Sequence, residues 1–208
     1  KVFTGHTSDI TCITVHPSEK YACTGQASPG PHMRIWRLLD AKLIANIGWV
    51  LGEAKRDATG NMEDPKPEAF YKGLICACCF AGVKSELLIG VGGDDHHTIG
   101  VWNWINGQLL AIYPLNCIKL YQISAASEEC HQETIGGGGI LFSTCGVGHL
   151  KFWKGTSVEV IGKNASYGEF DSPRAITYVF YMPSGTVAAG GDNGDIYIFD
   201  ARHTCLTA

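Results

Sequence analysis

The chain has 208 residues, of which 45% are apolar and 17% are charged, and its formal net charge is −4. This apolar content is enough for a buried core and excludes a disordered chain or a coiled coil. No run of about 18 apolar residues predicts a membrane-spanning helix and no signal-peptide pattern is present, so we expect a soluble chain without a membrane partner. Nucleic acid is excluded as a partner, because the 16 Lys and Arg residues are not clustered.

Glycine is unusually frequent, with 26 residues distributed through apolar and β-branched segments. This composition predicts many short strands joined by tight turns. The nine cysteines are odd in number and several lie inside apolar runs, which favours buried free thiols over a disulfide framework. One such run contains Cys76, Cys78 and Cys79, and the period-2 alternation of a strand predicts that Cys76 and Cys78 share a face.

The predicted strands repeat one pattern along the chain. Each unit has a first strand, a second strand, a glycine-rich turn and a third strand that contains an aromatic residue near its end. The first strands are predicted at 10–16, 74–80, 118–125 and 175–181, and the second at 21–26, 87–92, 140–146 and 185–191. The third strands carry Trp36, Trp102, Trp153 and Phe199, and fourth strands follow at 42–47, 108–113 and 157–161. Four strands in a unit of roughly 40–45 residues are the signature of WD40 propeller blades.

This repeat predicts an all-β fold of about four four-stranded antiparallel WD40-type blades, part of a larger β-propeller. The predicted boundaries are 1–48 for blade 1, 49–72 for an inserted loop, 73–116 for blade 2, 117–165 for blade 3 and 166–208 for blade 4, whose outer strand is incomplete. A second, polar loop over 127–139 ends in the glycine run 136–139. An open arc of blades exposes two blade faces, so we expect the chain to self-associate or to be covered by further chain.

A first group of residues is predicted to stabilise the blades. Gly5-His6 precedes the first strand, where a WD40 repeat usually has its Gly-His pair, and His6, Thr24 and Trp36 are expected to share a buried hydrogen-bond network. The other members of this group are Trp102, Trp153, Asp192, Phe199 and Asp200.

A second group lies at the start of the third strands, where propeller pseudosymmetry places its members around one rim. These possible partner-facing residues are His32, Asp94, Asp95, His96, His97 and His149. Their side chains are expected to order turns or to contact a partner, and a remote alternative is a metal-dependent enzyme that uses the His/Asp rim. Trp49, beside the charged insertion, is a further candidate for partner contact.

No catalytic, cofactor or metal site is predicted. None of Ser143, Ser172 and Ser184 lies in a Gly-x-Ser-x-Gly setting, and the glycine run lacks the Lys-Ser/Thr of a phosphate-binding loop.

Motifs in a fixed order along the chain resemble the echinoderm microtubule-associated protein-like (EMAP-like) family. They are Gly5-His6-Thr7, 22–26, 31–36, 94–97, 101–104, Cys145-Gly146, 149–153 and 161–163 followed by Pro173. The resemblance covers nearly the whole chain and implies WD40 repeats of the first of two joined propellers. It further implies a non-enzymatic scaffold in the cytoplasm that acts on microtubules or tubulin of the cytoskeleton. A WD40 adaptor in a non-cytoskeletal complex is the alternative.

Overall fold

The computed structural model describes residues 2–53, 62, 64–128, 130, 139–200 and 204–207. Within them, four antiparallel sheets each contain four strands that are hydrogen-bonded in chain order. The predicted all-β fold of four four-stranded WD40-type blades is confirmed.

The strands of each blade run from the inner to the outer edge of its sheet. Blade 1 contains β1 (Ile10–Val15), β2 (Tyr21–Gln26), β3 (Met33–Arg37) and β4 (Lys42–Ile47). After a ribbon of β5 (Trp49–Leu51) and β6 (Pro67–Ala69), blade 2 contains β7 (Ile75–Ala81), β8 (Leu87–Gly92), β9 (Ile99–Asn103) and β10 (Gln108–Tyr113). Blade 3 contains β11 (Leu120–Ala125), β12 (Gly139–Gly146), β13 (His149–Thr156) and β14 (Val160–Asn164). Blade 4 contains β15 (Ile176–Tyr181), β16 (Val187–Gly191), β17 (Ile196–Phe199) and β18 (Cys205–Thr207).

The four inner strands pack in series, β1 against β7, β7 against β11 and β11 against β15. Residues of all four strands line one cavity of about 670 Å³, so the blades are arranged around a common axis. Each inner strand has a register shift at the same place, directly after its first paired residue, which reproduces one β-bulge four times.

Apolar clusters lie between consecutive blades. The first joins blades 1 and 2, the second blades 2 and 3, and the third blades 3 and 4. The second strands β8 and β12 are buried on both faces, because each middle strand is covered by a blade on either side. The core of the molecule is therefore a set of interfaces between blades, and each blade depends on its neighbours for burial.

Side chains from a preceding blade also satisfy the unpaired edges of inner strands. The Thr11 hydroxyl donates to the Ile75 carbonyl (2.6 Å), and Gln122 Oε1 accepts the Val179 N–H (2.8 Å). Both bonds cross from one blade to the next, so directional hydrogen bonds supplement the apolar packing between the blades.

The outer strand of blade 3 differs from the prediction, because it covers Val160–Asn164 instead of 157–161. The Thr156 hydroxyl accepts the backbone N–H groups of Val158 and Glu159, and the Thr156 N–H donates to the Glu159 carbonyl. These bonds form a turn over 156–159, which delays the strand.

The predicted inserted loop 49–72 contains the short ribbon of β5 and β6, which lies at its two ends. Val50 packs on the cluster between blades 1 and 2, and Tyr71 is buried in that cluster. Residues 54–61 and 63 of this insertion lie outside the described residues, as do 129, 131–138 with most of the glycine run, and 201–203 and 208 of blade 4.

All nine cysteines are free, and six of them are buried. The prediction that Cys76 and Cys78 share a face is wrong. Cys76 packs on the cluster between blades 2 and 3, whereas Cys78 belongs to the cluster between blades 1 and 2, where its Sγ lies 3.6 Å from Cys12 Sγ. The register shift between Ile75 and Ala77 breaks the alternation at this point.

Candidate functional site

The predicted network of blade 1 is a continuous chain of hydrogen bonds. Trp36 Nε1–H donates to Thr24 Oγ1 (2.8 Å), and the Thr24 hydroxyl donates to His6 Nε2 (2.6 Å). His6 Nδ1–H in turn donates to Gln26 Oε1 (2.7 Å). Only a neutral imidazole accepts at Nε2, and burial lowers the pKa of His6, which favours that neutral form.

Gln26 is the member of this network that the sequence did not indicate. Its side chain is fully buried, and its amide Nε2 donates to the carbonyls of Pro29 and Gly30 (both 3.3 Å). It therefore connects His6 to the turn before β3. The available signal was a second polar side chain, after Thr24, at the end of β2.

Blade 3 builds the same chain of bonds from a different histidine. Trp153 Nε1–H donates to Thr144 Oγ1 (2.9 Å), and the Thr144 hydroxyl donates to His149 Nε2 (2.8 Å). His149 lies at the start of the third strand, whereas His6 precedes the first strand of its blade. Because its Nε2 is engaged with Thr144, His149 contributes to the bonds within the blade. Its side chain is only partly buried, so its partner-facing position stays a prediction.

The stability of the chain is expected to fall as the pH is lowered from 7 towards 4, because of His149. Burial, together with the nearby Lys151 charge, lowers the pKa of His149 to about 4 from its ordinary value of 6.5. The unfolded chain therefore binds a proton that the folded chain does not, and stability is lost with a slope of at most about 1.4 kcal/mol per pH unit in this window. Urea unfolding at several pH values measures this slope, and the variant H149N should flatten it.

In blade 2 a tyrosine from the insertion takes the place of both Thr and His. Trp102 Nε1–H donates to the Tyr71 hydroxyl (2.8 Å), which itself donates to the Gly90 carbonyl (3.2 Å). Gly90 pairs with Gly100, and it occupies the position in blade 2 that Thr24 occupies in blade 1. A Cβ atom on Gly90 would lie 2.7 Å from the Tyr71 hydroxyl oxygen. Two facing glycines therefore leave room for the Tyr71 ring.

Blade 4 has no bond of this kind, because the side chain of Phe199 has no N–H and the side chain of Ala189 has no hydroxyl. Phe199 is fully buried, and the neighbouring Tyr197 donates its hydroxyl to the Asp171 carbonyl (3.0 Å) and accepts from Asn193 Nδ2 (2.8 Å). Packing and this separate set of bonds stabilise the blade.

The two acidic residues predicted for the blade 4 network both accept backbone hydrogen bonds. Asp192 Oδ1 accepts the Ala175 N–H (3.0 Å), and Asp192 Oδ2 accepts from Arg174 Nε (3.3 Å). Asp200 Oδ1 accepts the Thr204 N–H (3.0 Å).

His32 is buried, with only 4% of its surface exposed, so its predicted partner-facing position is corrected. Its Nδ1–H donates to the Gly30 carbonyl (2.7 Å), and its Nε2 accepts from Arg34 Nε (3.0 Å). Both ring nitrogens are occupied within blade 1, and burial lowers the pKa of His32, so the neutral form that these bonds need is favoured.

The rim of blade 2 is divided between ordered and exposed side chains. Asp94 accepts the Thr98 hydroxyl and the His96 and Thr98 N–H groups. Partial burial acts to raise the pKa of Asp94, but these bonds bring it below its ordinary value. His97 is partly buried with a positive φ of 48°, while Asp95 and His96 are exposed. Asp95 and His96 are therefore the members of this rim that a partner can reach.

Trp49 lies on the exposed side of β5. The residue is 40% exposed, and its ring lies against the His32 ring, with 5.4 Å between centroids. Leu51, two residues further along the strand, is more exposed still, whereas Val50 faces the core between them. Trp49 and Leu51 thus form an apolar pair on the surface.

Within the described ranges, no three His, Cys, Asp or Glu side chains converge in a way that could hold a metal ion. Among the same residues, no helix is long and apolar enough to cross a membrane.

Comparisons with known proteins agree with the propeller geometry. The family model for the WD domain, G-beta repeat (WD40), matches residues 1–37. The structure superposes on the β-propeller domain of Cps50 (Swd1) from Myceliophteria thermophila with a TM-score of 0.65 and 11% identity, covering 97% of this chain and 55% of that domain.

Curated relatives match along nearly the entire chain. The 77 kDa echinoderm microtubule-associated protein of Strongylocentrotus purpuratus is 26% identical over 99% of this chain and 27% of the relative. Echinoderm microtubule-associated protein-like 4 of Xenopus laevis is 25% identical over 99% of this chain and 20% of the relative. The chain therefore spans about a quarter of the length of these relatives.

Proposed function

Because this chain matches the WD40 region of the EMAP-like family along nearly its whole length, we propose that its blades form a non-enzymatic protein-interaction scaffold that associates with microtubules or tubulin. The observation that carries the proposal is the match of 99% of the chain to the 77 kDa echinoderm microtubule-associated protein. On this proposal the protein acts in the cytoplasm, at the cytoskeleton.

The internal chemistry of the blades supports a scaffold. Two of the histidines that the sequence places at the possible reactive rim are engaged in bonds within the blades, as the His32–Gly30 and His149–Thr144 pairs show. Burial lowers the pKa values of His6, His32 and His149, which keeps these imidazoles neutral at physiological pH. Groups used in this way hold strands together and do not require a substrate.

The contact surface that we propose is the exposed side of β5. Trp49 and Leu51 face outward from the same strand, and alternation places both on one side. Interfaces are enriched in tryptophan, which contributes a large rigid apolar area at low entropic cost. Trp49 is supported from behind by the His32 ring, so its orientation is held before any partner binds.

Co-sedimentation with polymerised tubulin and size-exclusion chromatography with soluble tubulin test the proposal. We expect the 208-residue chain to bind in at least one assay, and the variant W49A/L51S to bind about tenfold or more weakly, which corresponds to about 1.4 kcal/mol. The matched control is I105A, which removes a similarly exposed apolar side chain from a turn of blade 2.

Absence of binding in both assays contradicts the microtubule proposal and favours the adaptor in a non-cytoskeletal complex. Binding that W49A/L51S leaves unchanged supports the scaffold but places its contact surface elsewhere on the blades. Equal weakening by the I105A control shows that the effect of the β5 variant is not specific.

A further inference from the structure

A cavity of about 240 Å³ opens between blades 3 and 4. The third strand of blade 3 lines it with His149 and Leu150, and Pro173 lines it just ahead of the first strand of blade 4. Ala165 and Tyr167, in the connection between the two blades, form a further part of the wall. The cavity therefore lies between two consecutive blades of the chain.

Blade 1 contains the equivalent place, and the strand register identifies it. His32 and His149 are equivalent, because each lies four residues before the Trp whose indole N–H donates to a second-strand Thr. In the outer strands Asn46 and Asn164 are equivalent, since each pairs with the residue two positions after its histidine. The side chains around the two histidines can therefore be compared position by position.

In blade 1 this place is filled by the chain itself. Ile47 is buried one residue after Asn46. The Trp49 ring lies against the His32 ring, with 5.4 Å between centroids. A Cβ atom on Gly30, in the turn before the third strand, would lie 3.4 Å from the Trp49 ring. An aromatic ring thus lies over both the rim histidine and a glycine of the neighbouring turn.

Blade 3 leaves the corresponding place open, because smaller or differently directed side chains surround it. Ala165, at the position of Ile47, has a smaller side chain. Tyr167, at the position of Trp49, packs its ring on an aromatic ring of blade 4, with 5.3 Å between centroids. A Cβ atom on Gly148, in the turn before the third strand, would meet no described atom within 4 Å.

The walls of this cavity are fixed by backbone hydrogen bonds and are uncharged. The Gly148 N–H donates to a backbone carbonyl at the start of blade 4 (2.8 Å), and the Ala165 N–H donates to the Leu150 carbonyl (2.9 Å). Burial lowers the pKa of His149 and raises the pKa of Tyr167, so neither side chain is ionised at neutral pH.

The residues that line the cavity also offer hydrogen bonds. Within the part of the chain that the structure describes, no hydrogen bond engages His149 Nδ1, the Tyr167 hydroxyl or the side chains of Asn164 and Ser172. A ligand with an apolar ring and a polar edge can use such groups. The cavity is smaller than the roughly 300–1,000 Å³ of sites that enclose drug-sized ligands, so its size suits one side chain.

We propose that this cavity accepts a tryptophan or tyrosine side chain of a partner protein, which lies against His149 as Trp49 lies against His32. The precedent is inside the chain, where an aromatic ring fills the equivalent place. An aliphatic side chain would leave the polar groups of the wall unbonded, and a charged one would lose its hydration where no lining residue is ionised. The site is separate from the Trp49–Leu51 surface, and the inference does not depend on tubulin binding.

Binding of N-acetyl-tryptophanamide to the 208-residue chain tests the cavity. In two-dimensional proton–nitrogen NMR spectra we expect backbone amide shifts that concentrate at 148–150 and 164–167. The expected dissociation constant is on the order of 1 mM, as for a ligand of fragment size. N-acetyl-leucinamide, which has the same capping groups but no ring, should bind about tenfold or more weakly.

A165I is the sharpest variant, because it introduces the side chain that blade 1 has at this position. It should occupy part of the cavity and weaken binding of N-acetyl-tryptophanamide by about tenfold or more, while the midpoint of urea unfolding stays the same or rises. The matched control A188I makes the same change on the middle strand of blade 4, at a residue that does not line the cavity, and should leave the affinity unchanged.

Absence of amide shifts at about 10 mM probe, tenfold above the expected constant, overturns the proposal. Shifts confined to other residues, equal binding of N-acetyl-leucinamide, or binding that A165I leaves unchanged also overturn it. If the amide spectrum of A165I shows loss of folding, the shifts of the wild-type chain and the leucine probe decide the result. Because the probe assay contains no tubulin, its failure leaves the microtubule proposal standing, and failure of that proposal leaves this result unaffected.

Discussion

Replacing Trp102 with alanine is expected to lower the free energy of unfolding by about 3–5 kcal/mol. Its side chain is almost fully buried in the cluster between blades 1 and 2, with the Phe70 ring centroid 5.5 Å away. Truncation removes this packing, leaves a cavity and releases the Tyr71 hydroxyl from the Trp102 N–H. Urea unfolding followed by far-UV circular dichroism, at one protein concentration because association would add to stability, measures the effect.

Y71F separates the hydrogen bond from the packing. It keeps the ring but leaves the Trp102 N–H without an acceptor, and we expect it to cost about 1–3 kcal/mol. A loss for W102A that is no larger than the loss for Y71F would contradict our assignment of the larger effect to packing.

Replacing Thr144 with valine is expected to lower the free energy of unfolding by about 2–4 kcal/mol, although the two side chains are similar in shape. The Thr144 hydroxyl accepts from Trp153 and donates to His149, so its removal leaves two buried polar groups without their partner. The same unfolding measurement applies.

T144S is the matched control for this prediction, because it retains the hydroxyl and loses one methyl group. We expect it to retain most of the stability that T144V loses. If serine and valine destabilise the chain equally, the methyl packing and not the hydrogen bonds of Thr144 accounts for the effect.

Together, W102A, Y71F and T144V test how different residues stabilise blades of the same architecture. Blade 1 uses His6 from the segment before the first strand, blade 3 uses His149 from the third strand, and blade 2 uses Tyr71 from the end of an insertion. In each case the indole N–H of the third-strand Trp finds a hydroxyl acceptor. The recurring requirement is a partner for that buried N–H, and several positions in the chain can supply it.

The strand pattern was largely predictable because its causes are local. Alternating apolar residues, glycine-rich turns and a repeating third-strand aromatic predicted β2, β4, β8 and β10 with the bounds that the structure has. The outer strand of blade 3 begins three residues later than predicted, because the hydrogen bonds of the Thr156 turn compete with strand pairing there.

The sites were less predictable because their partners are distant in sequence. Tyr71 reaches Trp102 only because Gly90 and Gly100 lie opposite each other on two paired strands. Neither glycine indicates this pairing by its place in the sequence. The exclusion of His32 from the surface depends on bonds to Gly30 and Arg34 that only the folded turn brings together.

The sequence by itself determined that this chain forms four-stranded blades in series, because period-2 alternation and repeated turn residues act within each unit. Tertiary structure alone decided which polar side chains are used inside the blades and which remain at the surface. It also decided which apolar side chains are buried, since burial depends on neighbouring blades and is not encoded in any one strand.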